Sequence, residues 1–242
     1  MSQLALQLPF PTEPDDLELD GTYREKLSAL LTGDLDFHDQ DSGYASHNFH
    51  AFPAKFPPQL PRIFIKGLTD PGDIVLDPMM GSGTTVVEAL LSGRVGLGFD
   101  IDPLALHLCK VKVNRLAADR VAMAGGQVLE RATWAVQKQN SALVELLANR
   151  FDPKTREFIN YWFQPETQIE LLALIVEIER VEDSSIRAFL ELVFSAIIIT
   201  KSGGVSLARD LAHTRPHRIS DKVPRSALVE FKKRFQQNLN SL

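Results

Sequence analysis

Asp77 is followed by Pro-Met-Met-Gly81-Ser-Gly83-Thr84-Thr, a carboxylate, two glycines and hydroxyls packed into one short stretch. Gly81 and Gly83 let the backbone turn tightly and approach a ligand with no Cβ in the way. A phosphate-cradling loop would need a Lys after the last glycine, and none follows Gly83. A dinucleotide fingerprint would need a third small residue where Val86 stands. The remaining reading is an acid at a strand end followed by G-x-G. That suits S-adenosylmethionine (SAM), which has no phosphate and carries an amino-acid end whose ammonium Asp77 can take.

The elements that must position these residues are legible around them. Ile74-Val75-Leu76 is a continuous apolar run, as expected for a strand buried on both faces of a parallel sheet. Thr84 to Leu91 reads as an amphipathic helix. Val95-Gly-Leu-Gly-Phe99 is a second strand ending in Asp100, which lies 23 positions after Asp77. That is near the roughly 20 expected for a ribose-binding carboxylate. Asp102 and Pro103 then read as the N-cap and first residue of another helix.

D-P-M-M-G-S-G-T-T resembles the SAM-binding motif of the amino-group DNA methyltransferases, which modify cytosine N4 or adenine N6. Upstream, His47-Asn-Phe-His-Ala-Phe-Pro-Ala-Lys-Phe-Pro57 is similar to the segment that precedes the motif in that family. The order of the two segments and the later G-F-D-I-D-P match as well. The resemblance covers residues 44–114. It implies that Phe52, Lys55, Phe56 and Pro57 border the cofactor. Asp77, Pro78, Gly81, Gly83 and Thr84 would hold its methionine part, and Asp100 its ribose. Core packing is the competing role for Phe52 and Phe56. The implied fold class is α/β, a partial Rossmann-like SAM-dependent methyltransferase fold followed by a mostly helical region. DNA is the implied substrate, as in restriction–modification systems.

The resemblance also implies a part that does not occur in these 242 residues. The family presents the exocyclic amine of a flipped base to the methyl group through a [DNS]-P-P-[YFW] loop. Its polar side chain and a backbone carbonyl accept from the amine, and its aromatic ring stacks on the base, a positioning effect. Phe56-Pro-Pro-Gln59 has the prolines without the acceptor or the aromatic residue. Catalytic residues are therefore unknown. Two parallel strands at 73–77 and 95–100 make a poor sheet by themselves. A second polypeptide carrying the catalytic loop, an interrupted reading frame, or helices over the edge are the expected remedies. A regulatory or specificity subunit with a vestigial SAM site and a component of an RNA base methyltransferase are the alternative functions, because the SAM motif does not name the acceptor.

Composition sets bounds. One cysteine, Cys109, excludes a disulfide framework, and its apolar helical surroundings read as a buried structural thiol. No stretch is long enough to span a membrane and the start lacks a signal peptide's basic residues, so a cytoplasmic location is expected. His213 and His217 are spaced i, i+4, but Pro216 interrupts the helix geometry, and no metal site is expected. Net charge is −5, unevenly spread. Residues 1–42 hold ten acids against Arg24 and Lys26, whereas residues 200–242 hold nine bases against Asp210, Asp221 and Glu230.

Three regions follow: 1–43, an acidic leader with a short helix; 44–116, the SAM-binding α/β unit; and 117–242, helical with a basic loop. The helices are expected at 118–150, weakened at Gly125-Gly126, then from Pro153 to Trp162, Pro165 to Val181 and Ser184 to Thr200. Trp134, Tyr161, Trp162, Phe189 and Phe194 read as their core. The loop from Thr200 to Arg218 joins the backbone freedom of Gly203-Gly204 to Lys, Arg, Ser and His donors. Lys201, Arg209, Arg215 and Arg218 are the candidate DNA contacts, with capping of helix C-termini as the competing role.

Overall fold

The computed structural model describes residues 21–52, 55–198, 204–209, 217–219 and 221–242. They fall into two compact units. One holds the described residues up to His47 together with Lys55–Val113, and the other holds the described part of 48–54 together with the residues from Asn114 onward.

In the first unit, α1 (Tyr23–Thr32) starts on a Thr22/Glu25 capping box, and α2 is Gln59–Leu68. Then come β1 (Ile74–Asp77), α3 (Thr84–Leu91), β2 (Val95–Gly98) and α4 (Pro103–Lys112). β1 and β2 are parallel, with Ile74 opposite Val95 and Asp77 opposite Gly98. The Asp102 side chain caps α4 by accepting from the Leu104 amide at 2.8 Å, with Pro103 at the first helical position. Glycine brings α3 close to the sheet: a Cβ on Gly96 would lie 2.9 Å from the Val86 carbonyl oxygen, and one on Gly98 would lie 2.9 Å from a Val86 methyl carbon.

The expectation that β1 is buried on both faces does not hold. Val75 and Gly96 face inward by the strand alternation, but Ile74 is 65% exposed, Leu76 58% and Leu97 44%. With Val95 and Phe99, also exposed, they form an apolar sheet face that no described element of this unit covers. The continuous apolar run is thus a strand patterned for burial on both faces and covered on one.

The second unit contains α5 (Ala118–Lys138), α6 (Asn140–Arg150), α7 (Pro153–Trp162), α8 (Pro165–Glu179), α9 (Ser184–Ile198) and α10 (Ala227–Leu239). Two short strands, β3 (Ala208–Arg209) and β4 (His217–Arg218), pair antiparallel. The long helix breaks at Gln139 and not at Gly125-Gly126. Gly125 is a packing residue: a Cβ there would lie 2.2 Å from the Phe235 ring, so glycine lets α10 seat on α5. Phe189 is fully buried in the core, but Trp134 and Tyr161 are exposed, contrary to expectation. Among the described residues no helix is long and apolar enough to cross a membrane.

Candidate cofactor site

The end of β1, the glycine turn and the end of β2 are laced together by backbone bonds. The Phe99 amide donates to the Asp77 carbonyl at 2.9 Å, the Met80 amide to the Phe99 carbonyl at 3.0 Å, and the Gly83 amide to the Met80 carbonyl at 2.8 Å. Gly81 and Gly83 take φ of 49° and 76°, the left-handed region that side chains disfavour. Gly83 also lies where a Cβ would come within 2.7 Å of the Cys109 sulfur on α4. Burial raises the pKa of that thiol, which keeps it the neutral packing group expected of it.

Two carboxylates flank the turn. Asp77 Oδ1 accepts from the Met79 amide at 3.1 Å. Asp100 Oδ1 accepts from the Asp102 amide at 2.9 Å and its Oδ2 from the Gly81 amide at 2.8 Å. Those amides, Asp102 first and then Gly81, hold the Asp100 carboxyl below the usual carboxylate range. Each carboxylate has about four acceptor positions, so both retain capacity for a ligand's donors. Ile101, beside Asp100, is fully exposed. The alternation of acids with apolar residues in G-F-D-I-D is the signal that could have singled it out.

This pair of acceptors fits a ligand with an ammonium and vicinal hydroxyls and suits a phosphate poorly. The structure thus brings Asp77, Gly81, Gly83, Thr84 and Asp100 into one loop cluster. Thr84 is buried, its hydroxyl 3.2 Å from that of Ser82, so it braces the turn from within. Pro78 and Phe56 are exposed, and Pro57 is half-buried. Lys55 Nζ donates to the His47 carbonyl at 3.0 Å.

The upstream motif divides in two. Tyr44, Ser46 and His47 belong to the first unit, Tyr44 and His47 tied to α3 through Glu88 and Ser46 to the end of α4. Tyr44 Oη and His47 Nε2 both meet the buried Glu88 Oε1 at 2.7 Å. Burial first, and then the Glu88 charge, push the Tyr44 phenol pKa up, so it stays a donor. Sequence reasoning missed this network; an acid inside the apolar stripe of α3 is the clue to it. Phe49 and His50 belong to the second unit, where the Phe49 ring meets Phe189 edge to face at 5.6 Å and His50 Nε2 lies 3.2 Å from Ser195 Oγ. Phe52 falls in this second group as well, apart from Lys55, Phe56 and Pro57.

Of the candidate DNA contacts, Lys201 and Arg215 lie outside the described residues. Arg209 and Arg218 sit on β3 and β4, with Arg218 opposite Ala208. The Arg218 guanidinium lies 5.1 Å from the centre of the exposed Tyr161 ring, a cation–π contact. Lys222 Nζ supports the strand pair by donating to the Ser206 and Ala208 carbonyls at 2.5 and 2.9 Å. Among the described residues no group of three or more His, Cys, Asp or Glu is placed to hold a metal ion.

Comparison with known proteins finds sequences similar to the part of the chain that carries this geometry. The DNA methylase family model matches residues 26–110. The chain is 36% identical over 96 residues to the type II methyltransferase M.MjaII of Methanocaldococcus jannaschii, covering 38% of this chain and 18% of that protein. It is 26% identical over 224 residues to M.MvaI of Kocuria varians, covering 88% of this chain and 47% of the relative. It is 45% identical over 67 residues to M.BglI of Bacillus subtilis, covering 28% of this chain and 19% of the relative. The chain therefore spans less than half the length of each of these relatives. No solved structure matches. Through residues 26–110, the chain is thus similar to the DNA methylase family and to type II methyltransferases.

Proposed function

We propose that the chain is the SAM-binding portion of a site-specific DNA methyltransferase acting on an exocyclic amine, cytosine N4 or adenine N6. The single observation that carries this reading is the laced turn, which sets the Asp77 and Asp100 carboxylates on either side of Gly81. SAM supplies the methyl group when bound. Asp77 takes the ammonium of its methionine part and Asp100 the ribose hydroxyls. Gly81 and Gly83 let the ligand close on the backbone, Thr84 and Pro78 hold the turn, and Lys55, Phe56 and Pro57 of the same unit border the site. The parallel strand pair with its flanking helices is then a partial Rossmann-like fold. In the second unit Lys201, Arg209, Arg215 and Arg218 contact the DNA backbone, where basic side chains give sequence-independent affinity.

SAM titration by calorimetry tests the cofactor. Asp77→Asn keeps an acceptor for the Met79 amide and removes the charge, so it should weaken binding by roughly tenfold to a hundredfold, as for a charged hydrogen bond of about 1.5–3 kcal/mol. Equal weak binding by wild type and variant would sink the assignment.

The acceptor side is proposed to come from a polypeptide that bears the [DNS]-P-P-[YFW] loop and further strands, docked on the bare face of Ile74, Leu76, Val95, Leu97 and Phe99. Incubation with labelled SAM and DNA or RNA, with and without such a polypeptide, should give DNA methylation only in the mixture. Transfer by the 242 residues alone overturns the split, and transfer to RNA overturns the substrate. Leu97→Lys should leave SAM affinity within about threefold, as for a surface change, while abolishing transfer in the mixture.

A further inference from the structure

A buried cation lies beneath the cofactor turn. Lys112, at the end of α4, is only 7% exposed, and its Nζ donates to the carbonyl of Ser82, the middle residue of G-S-G, at 2.8 Å. The Ser46 hydroxyl donates to the Lys112 carbonyl at 3.1 Å and fixes the backbone there. An ammonium has three N–H donors, and Ser82 is its hydrogen-bond acceptor among the described residues. Burying a charge this sparsely satisfied is costly. Its α4 neighbours Leu108 and Val111 fill the same interior with apolar atoms, so packing alone does not call for a lysine.

The surrounding charges sharpen the question. Lys55 approaches from the segment ahead of α2, Cys109 lies on α4 itself, and Asp77 faces Cys109 from the end of β1. The buried His47–Glu88 pair joins the preceding segment to α3. Burial first, and then the Lys55 charge, press the Lys112 pKa down to about 7, against a weaker opposing pull from Cys109. On the ligand's side, Asp77 and Asp100 are both anions and suit an ammonium and hydroxyls. The α-carboxylate of SAM needs a positive charge that neither supplies.

We propose that Lys112 supplies that charge, holding the Ser82 carbonyl from beneath the turn and balancing the carboxylate end of the bound methyl donor. The inference rests on the SAM reading of the turn. It makes Lys112 a positioning residue with a proton-linked effect. Above pH 7 the free protein has increasingly lost the ammonium, and a bound carboxylate restores it, so binding takes up a proton and weakens as pH rises.

The test is the SAM dissociation constant of wild type, Lys112→Met and Lys112→Arg from pH 6 to 9, by calorimetry. Lys112→Met should bind roughly tenfold more weakly than wild type at pH 6, the scale of one charge-assisted hydrogen bond, with the ratio closing toward one at pH 9. Titration of the ligand's own amino group affects both proteins and cancels in the ratio. Lys112→Arg stays charged throughout and should keep its advantage over Lys112→Met undiminished at pH 9. A purely structural role would lower the melting temperature of Lys112→Met and leave the ratio independent of pH, which overturns the inference alone. If Lys112→Met does not fold, the comparison of wild type with Lys112→Arg decides, and parallel pH profiles overturn it. Absence of SAM binding by wild type at every pH overturns the cofactor reading and this inference together.

Discussion

Gly83→Ala is expected to destabilise the cofactor unit by about 3 kcal/mol and to remove ligand binding with it. Two costs add. Placing an L-residue at a left-handed φ of 76° costs about 1–2 kcal/mol. The new methyl group would also stand 2.7 Å from the Cys109 sulfur and 3.3 Å from its Cα, and overpacking of this kind costs about 1–3 kcal/mol. Gly72→Ala separates the two, because Gly72 has φ 93° with nothing within 4 Å of a Cβ and should show the strain alone. Urea denaturation of both, and of Gly83→Ala combined with Cys109→Ala, reads the difference. The double variant should recover part of the loss, with a coupling on the order of 1 kcal/mol. Equal costs at Gly72 and Gly83 would show that the α3–α4 contact does not limit the turn.

Phe49→Ala is expected to cost about 3–5 kcal/mol, the range for emptying a buried phenylalanine, and to do so in the helical unit. Phe49 is 2% exposed, lies edge to face on Phe189, and offers its carbonyl to Asn238 Nδ2 at 3.0 Å. Both tryptophans, Trp134 and Trp162, are in that unit, so their emission reports its unfolding. The midpoint should fall sharply for Phe49→Ala. Phe56→Ala, at an exposed position, should stay within about 0.5 kcal/mol. An unmoved tryptophan transition in Phe49→Ala would mean the residue does not pack where the structure puts it.

Local rules made the centre of the first unit legible. An apolar run ending in Asp77, two glycines and an N-cap at Asp102 each specify a backbone conformation within a few residues, and β1, α3, β2 and α4 lie where those signals place them. What stayed hidden depends on residues far apart in the chain. Gly125 reads as a helix breaker until Phe235 is seen seated on it. Tyr161 reads as core until Arg218 is found over its exposed ring. Lys112 is a charge on an apolar stripe, seven residues after Ala105 and in line with Leu108 and Cys109. That position was the available clue. The division of the His47–Pro57 motif between two units has no local signature, since Phe52 and Phe56 look alike in sequence yet fall in different units.

That division has a consequence for synthesis. Asn238 sits in the last turn of α10, 189 positions after Phe49, so the contact that ties them is strongly non-local. During vectorial translation the motif leaves the ribosome 189 positions before the side chain that accompanies its burial. Until that stretch has been made, the Phe49 carbonyl lacks this partner. The unit built from the later residues is therefore complete only once α10 has been synthesised.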